Sequence, residues 1–169
     1  MDAATLRATQ APIKDRYKTD PKSAVITLKA RGSIENEGIA CKVETGRALA
    51  VAGLHPATGG SGLELCSGDM LLEALVACAG VTLKSVATAI EIPLNSGNVT
   101  AEGDLDFRGT LGVDKEAPVG FAEIRLRFDV GTDAAQDKLD LLLKLTERYC
   151  VVYQTIKNGP KVSVTMQRV

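Results

Sequence analysis

The stretch Cys66–Ile90, CSGDMLLEALVACAGVTLKSVATAI, decides how this chain folds. Ser67 can cap a helix there, and Asp69 places a carboxylate in the first turn, where the helix dipole favours negative charge. From Met70 to Leu83 the only clearly polar side chains are Glu73 and Thr82. An ordinary surface helix shows one apolar stripe, so a helix apolar on nearly every face reads as an interior helix. The run between Glu73 and Lys84 falls short of the ~20 apolar residues that span a bilayer. Cys78 sits in the middle. A thiol in that position is either small core filler or a protected reactive group.

Working outward, the whole chain has 169 residues, 45% of them hydrophobic, with a formal net charge of −1. That composition suits a single soluble domain, 1–169, with residues 1–23 as an N-terminal arm or helix. The basic residues are scattered and the charge is near zero, which argues against nucleic acid or an anionic membrane as partner. Aromatic content of 4% without tryptophan leaves little for a base-stacking platform. The start, MDAATLRATQAPIKD, lacks the apolar region of a signal peptide, so the expected location is the cytoplasm. In that compartment Cys41, Cys66, Cys78 and Cys150 are expected mostly reduced, and a disulfide is more often catalytic than structural.

The pattern along the chain predicts an α+β fold with mainly antiparallel sheet, in the order β-β-β-α-β-β-α-β. Residues 3–19 read as a short helix or arm. Ala24–Gly32 alternates as a strand, and IACKVETG and RALAVAGL follow as two strands or one bent one, with Gly46 at a turn or bulge. His55–Gly62, HPATGGSG, reads as a loop. After the central helix, VTAEGDLDFRGTLG and FAEIRLRFDV alternate as strands. The second has the cleanest period of two, with Phe121, Glu123, Arg125 and Arg127 opposite Ala122, Ile124, Leu126 and Phe128. Thr132 can cap a second helix running to Cys150, with Leu139, Leu142, Leu143 and Tyr149 as its apolar stripe. The segment CVVYQTI is open between strand, by its β-branched content, and helix, by its position. KVSVTMQRV reads as a closing strand.

Few residues carry chemistry. No C-x-x-C pair occurs and there is one histidine, so neither a metal site nor a bound cofactor has a motif behind it. The Gly-rich HPATGGSG lacks both phosphate-loop and dinucleotide patterns. A reactive thiol needs a cation, a helix N-terminus or a donor network to hold its thiolate. By local physics alone Cys78 reads as core filler, Cys66 is better placed to ionise just before the helix, Cys150 near Arg148 is intermediate, and Cys41 reads as structural. Cys66 and Cys78 lie ~18 Å apart on one helix, beyond the ~7 Å Cα separation that a disulfide allows. Glu73 reads as an edge residue, since an unpaired buried charge is costly.

Taken together, GDMLLEALVACAGVTL (68–83), ERYCVVYQTIKNG (147–159) and the closing KVSVTM (161–166) resemble the OsmC/Ohr family of peroxiredoxin-like thiol peroxidases. The resemblance covers roughly residues 24–169. It implies an intertwined homodimer in which each buried central helix packs into a sheet built by both chains. It implies reduction of organic hydroperoxides, a role in the oxidative stress response, with Cys78 as the attacking cysteine and Cys150 as the resolving one. A dithiol reductant would then complete the cycle through a sulfenic acid and a disulfide. An arginine held by a carboxylate ionises the thiol in the family, and Arg47, or else Arg31, is the candidate here. The family's peroxidases carry a glutamate ten residues before the central cysteine. Gly68 stands at that position, with Asp69 beside it as the candidate substitute. His55, in the loop before the helix, is a further polar candidate. The rival expectation is a non-enzymatic dimer of the same fold that binds a small apolar ligand at its interface.

Overall fold

The computed structural model describes residues 2–20, 31–34, 40–44 and 49–168. In chain order these form α1 (Ala3–Thr19), β1 (Arg31–Ile34), β2 (Ala40–Glu44), β3 (Leu49–Gly53), a short 3-10 turn (Pro56–Thr58), α2 (Ser67–Ala89), β4 (Ser96–Leu105), α3 (Phe107–Thr110), β5 (Phe121–Gly131), α4 (Gln136–Tyr149) and α5 (Val151–Asn158). Strands β1, β2 and β3 make an antiparallel three-stranded sheet, and β4 pairs with β5 in a second antiparallel sheet. The arrangement is the expected α+β fold with antiparallel sheet. The expected strand Ala24–Gly32 lies outside the described residues up to position 30, with Arg31 and Gly32 opening β1, and the turn at Gly46 lies outside them too.

The apolar run of α2 does what its composition requires on one side. Leu75, Ala79, Leu83, Val86 and Ala87 are buried, and α2 packs against β4, α4 and α5. Leu83, Val86, Ala87, Ile92 and Leu142 form the core cluster, closed from the sheet by Phe128 and Val130 and from α4 by Leu139 and Leu145. The other side is open within the single chain: Leu71, Ala74, Ala77 and Val81 are exposed, Val81 to 72%. By length and composition alone the 23-residue α2 could cross a membrane, counting past Glu73 and Lys84 rather than between them.

Along β5 the alternation holds for Ile124, Leu126, Phe128 and Val130, which are half-buried, with Arg125, Arg127 and Asp129 outside. Phe121 departs from the expected face. The register slips between Asp104 and Leu105, so that Asp104 pairs with Glu123 and Leu105 with Phe121. One extra residue in a ladder reverses the side-chain phase beyond it. Phe121 therefore turns inward while Ala122 is exposed. Gly103 makes room for it: a Cβ there would come within 2.5 Å of the Phe121 ring.

Four other expectations change. Residues Phe107–Thr110 leave the strand as the short helix α3, with the Asp106 carboxylate accepting from the Arg108 N–H as a cap. Helix α2 is preceded by Cys66 in the cap position, so Ser67 is already its first residue. Helix α4 starts at Gln136 with Ala135 before it. Thr132 instead links segments, donating to the Pro93 carbonyl at 2.6 Å and accepting from Ala134 N–H at 3.2 Å. Finally, CVVYQTI is helical from Val151, and residues 161–168 are exposed and unpaired, with Val162, Val164 and Met166 open to solvent.

Leu142→Ala, which empties the core beside Leu83, is expected to cost ~2–5 kcal/mol of stability. Gly103→Ala, which forces Phe121 aside, is expected to cost about 1–3 kcal/mol. Urea unfolding of both variants, beside an exposed control such as Lys84→Ala, measures the ranking.

Candidate active site

Two cysteines 72 positions apart meet where α2 crosses the junction of α4 and α5. Cys78 reaches the junction because α2 turns that flank toward α5, with Leu75 and Ala79 anchored in the core beside it. Cys150 is the residue between the two later helices. Its backbone, φ −74° and ψ 107°, leaves the helical region for one residue, so it ends α4 and precedes α5. Its N–H still donates to the Thr146 carbonyl at 2.9 Å, while its own carbonyl accepts from Gln154 N–H at 2.9 Å. The Cys150 side chain is 1% exposed, whereas Cys78 is half-buried. Both thiols are free, and each bears on the ionisation of the other.

The environment drives the two thiols in opposite directions. Burial pushes the Cys78 thiol up, but the N–H groups of Val152 and Val151, the Cys150 thiol and the Thr82 hydroxyl outweigh it and hold Cys78 below its ordinary value. Burial also pushes Cys150 up. The N–H groups of Tyr153 and Val152 oppose that effect, while donation to Cys78 and the negative charge there reinforce it, and Cys150 ends above its ordinary value. The Thr82 contribution has a competitor, because its single proton already goes to the Cys78 carbonyl at 2.8 Å. The N–H groups have no such alternative: Val151 and Val152 are the first two residues of α5, whose amides lack partners within the helix. In that arrangement Cys78 gives up its proton more readily than Cys150.

The other candidates lie elsewhere. Asp69 and Cys66, with His55, line a separate cavity of about 340 Å³ at the start of α2, together with Gly68, Leu105 and Phe121. Along the helix axis Asp69 is ~13 Å and Cys66 ~18 Å from Cys78. Asp69 therefore lies about two and a half turns along α2 from Cys78. A side chain at position 68 would enter the same cavity, where a Cβ would meet Leu105 at 3.4 Å and Phe121 at 3.5 Å. His55 plays a structural part, since its Nδ1 accepts from Ala57 N–H at 3.0 Å and its ring stacks on Phe107 with centroids 4.9 Å apart. Accepting at Nδ1 places the neutral ring's proton on Nε2. Arg31 opens β1, and Arg47 lies outside the described residues. Among the described residues no cluster of His, Cys, Asp and Glu is grouped to hold a metal ion.

Sequence reasoning misses the amides of Val151, Val152 and Tyr153, which carry no side-chain signature. The available signal is positional: with CVVYQTI read as helix, Cys150 falls just before its first turn.

Residues 60–165, more than half of the chain, match the family model described as OsmC-like protein. The fold agrees with solved structures of low sequence identity. An OsmC-like protein from Mycoplasma pneumoniae superposes with a TM-score of 0.65 at 15% identity, covering 79% of this chain and 89% of that one. An organic hydroperoxide resistance protein OsmC from Legionella pneumophila gives 0.61 at 17% identity, covering 80% and 92%. An organic hydroperoxide resistance protein from Elizabethkingia anophelis gives 0.62 at 14%, covering 80% and 91%. No curated protein matches in sequence. The chain belongs to the OsmC-like family.

The opposed thiols have a pH signature. A thiol held below its unfolded value contributes stability that is full above the unfolded value and fades as pH falls through the folded one, and Cys150 contributes in the reverse sense. For reactivity, the thiolate is the attacking form. Site-resolved alkylation with iodoacetamide is expected to modify native Cys78 fastest at neutral pH, with a midpoint below that of an ordinary thiol, and Cys150 slowest.

Proposed function

We propose that the protein is a thiol peroxidase for organic hydroperoxides, with Cys78 as nucleophile and Cys150 as resolving cysteine. The observation that carries this reading is the juxtaposition of a half-buried thiol held below its ordinary pKa with a buried thiol pushed above it, each bearing on the other's ionisation. Solved structures named for organic hydroperoxide resistance share the fold. The division of labour follows from exposure and charge. Cys78 is the more accessible thiol and the better ionised one, and Cys150 holds its proton out of reach of solvent.

In the first step the Cys78 thiolate attacks the terminal oxygen of a hydroperoxide. The sulfur–oxygen bond forms as the O–O bond breaks, and the departing alkoxide takes up a proton to leave as the alcohol. Sulfur is oxidised to the sulfenic acid and the peroxide is reduced. Cys150 then attacks that sulfur, the sulfur–sulfur bond forms, and the hydroxyl leaves as water with the Cys150 proton. An external dithiol reduces the disulfide, returning both thiols and leaving as its own disulfide. Because the two thiols are neighbours where α2 meets the α4–α5 junction, the second step needs little rearrangement.

A homodimer fits the surfaces left open. Ala74 and Val81 lie four residues before and three residues after Cys78 on α2, so they flank the sulfur along one side of the helix. With Ala77 and the exposed Val162, Val164 and Met166 they form apolar surface that a second copy would cover. That cover would bury the central helix on both sides and wall the thiol with hydrocarbon, an environment suited to alkyl rather than hydrogen peroxide. The cytoplasm, where dithiol reductants operate, is the compartment this chemistry requires.

An apolar cavity of about 720 Å³ between α2, β5 and α5 keeps a second reading in play, since Leu71, Leu75, Ile124, Leu126 and Ile156 line it and neither cysteine does. In that reading the protein binds a small apolar ligand and has no turnover.

Purified protein with an organic hydroperoxide and a dithiol reductant is expected to consume peroxide at a rate that Cys78→Ser abolishes. Cys150→Ser is expected to give one turnover and stop at a sulfenic acid that a dimedone probe labels. Wild type no faster than Cys78→Ser would overturn the peroxidase reading and favour the binding one. Sedimentation at micromolar concentration is expected to show a dimer.

A further inference from the structure

We propose that the cavity between α2, β5 and α5 is a binding site for a free alkyl carboxylate, with the chain inside and the carboxylate on Lys157 and Tyr153 at the rim. The inference rests on the ligand-binding reading of that cavity, and it holds with or without peroxide turnover, because neither cysteine lines the space.

Three elements build the apolar part. Leu71 and Leu75 lie one turn apart on α2 and share a face. Ile124 and Leu126 are alternate residues of β5, so both turn to the same side of the sheet. Ile156 closes the space from α5. The cavity, about 720 Å³, has the size of a small-molecule site, and such sites combine an apolar lining with a few placed polar groups. The lining alone would name only a hydrocarbon. The polar groups name the rest.

Tyr153 and Lys157 lie one turn apart on α5, and both line the cavity. The Lys157 ammonium donates to the Tyr153 hydroxyl at 3.3 Å and stands 5.3 Å from the centre of its ring. The hydroxyl oxygen accepts that bond, so its own proton remains to be donated, and the ammonium keeps further protons of its own. Two neighbouring donors, one of them charged, suit the two oxygens of a carboxylate. Among the described residues no carboxylate forms an ion pair with Lys157. A cation left without a counter-ion at the edge of an apolar space selects an anionic head group.

Two acidic residues line the same cavity. Glu123 is engaged by Arg125, accepting from its Nη1 at 3.0 Å, so its charge is compensated. Glu147, half-buried near the end of α4, forms no ion pair among the described residues. Its charge opposes an anion in the cavity and gives the test a sign: removing that charge tightens the binding of a carboxylate.

Decanoate is the probe, titrated by calorimetry below its micelle-forming concentration, with 1-decanol and decylamine as uncharged and cationic controls of the same chain length. Wild type is expected to bind decanoate more tightly than either control. Lys157→Gln changes an exposed position and keeps the fold. It is expected to weaken decanoate roughly five-fold and leave decanol unchanged, as suits a partly solvated charge pair. Glu147→Gln is expected to strengthen decanoate by a similar factor. Ile156→Trp fills the cavity from α5 and is expected to abolish binding of all three probes while circular dichroism matches wild type, with Ile124→Phe in its place should that variant fail to fold. Equal affinity for the three probes, or no response to Lys157→Gln, would overturn the proposal. Decanoate binding that survives in the folded, filled variant would overturn it too, since the chain would then lie on the open flank of α2. Peroxide consumption is scored separately, so a protein without turnover that binds decanoate in this pattern would refute the peroxidase reading and leave the carboxylate site standing.

Discussion

The packing of α2 against the break between α4 and α5 is the contact on which the rest of this structure depends. Leu75, Ala79 and Leu83 seat one side of α2 in the core, and Leu142 meets them from α4. Those contacts determine the height and rotation of α2, and hence where Cys78 lies. They also bring the first turn of α5 beside it. A sulfur buried in the middle of a helix has no access to its own helix dipole, so the only way to charge it is to supply donors from another element. Here that element is a helix end.

One short irregularity thus serves two ends. The single residue at which the backbone leaves helical geometry is Cys150, and leaving it frees the amides that follow. Had α4 continued unbroken, those N–H groups would be bonded to carbonyls one turn earlier and Cys150 would be one more helical side chain. The break costs helical hydrogen bonds. A comparable irregularity lies at the other end of α2, where a register slip at Asp104 and Leu105 turns Phe121 inward and Gly103 gives it space. Phe121 then lines the cavity of His55, Cys66 and Asp69.

The open surfaces belong to the same logic. Membership of the OsmC-like family rests on residues 60–165, and within that stretch the chain leaves apolar residues uncovered on α2 and at Val162 and Val164. An apolar helix is soluble only if both its sides are eventually covered. The single chain covers one.

Much of this was legible in the amino-acid order. The helix of α2, the strands β4 and β5, the helix of α4 and the candidacy of Cys78 and Cys150 follow from periodicity, breakers and family resemblance, because local chain geometry imposes those patterns residue by residue. What the sequence could not reveal is where elements end and meet. CVVYQTI has strand composition yet forms a helix because it packs on α2 and α4, and tertiary contact outweighs β-propensity. The cavity that Asp69 shares with His55 and Cys66 is likewise a product of the fold. The donors to Cys78 are backbone amides, common to every residue but proline, so no side chain announces them. The sequence by itself determined that two thiols exist on suitable helices. Only the tertiary structure decided which thiol ionises the more readily, because that depends on what each sulfur meets where α2 packs against the α4–α5 junction.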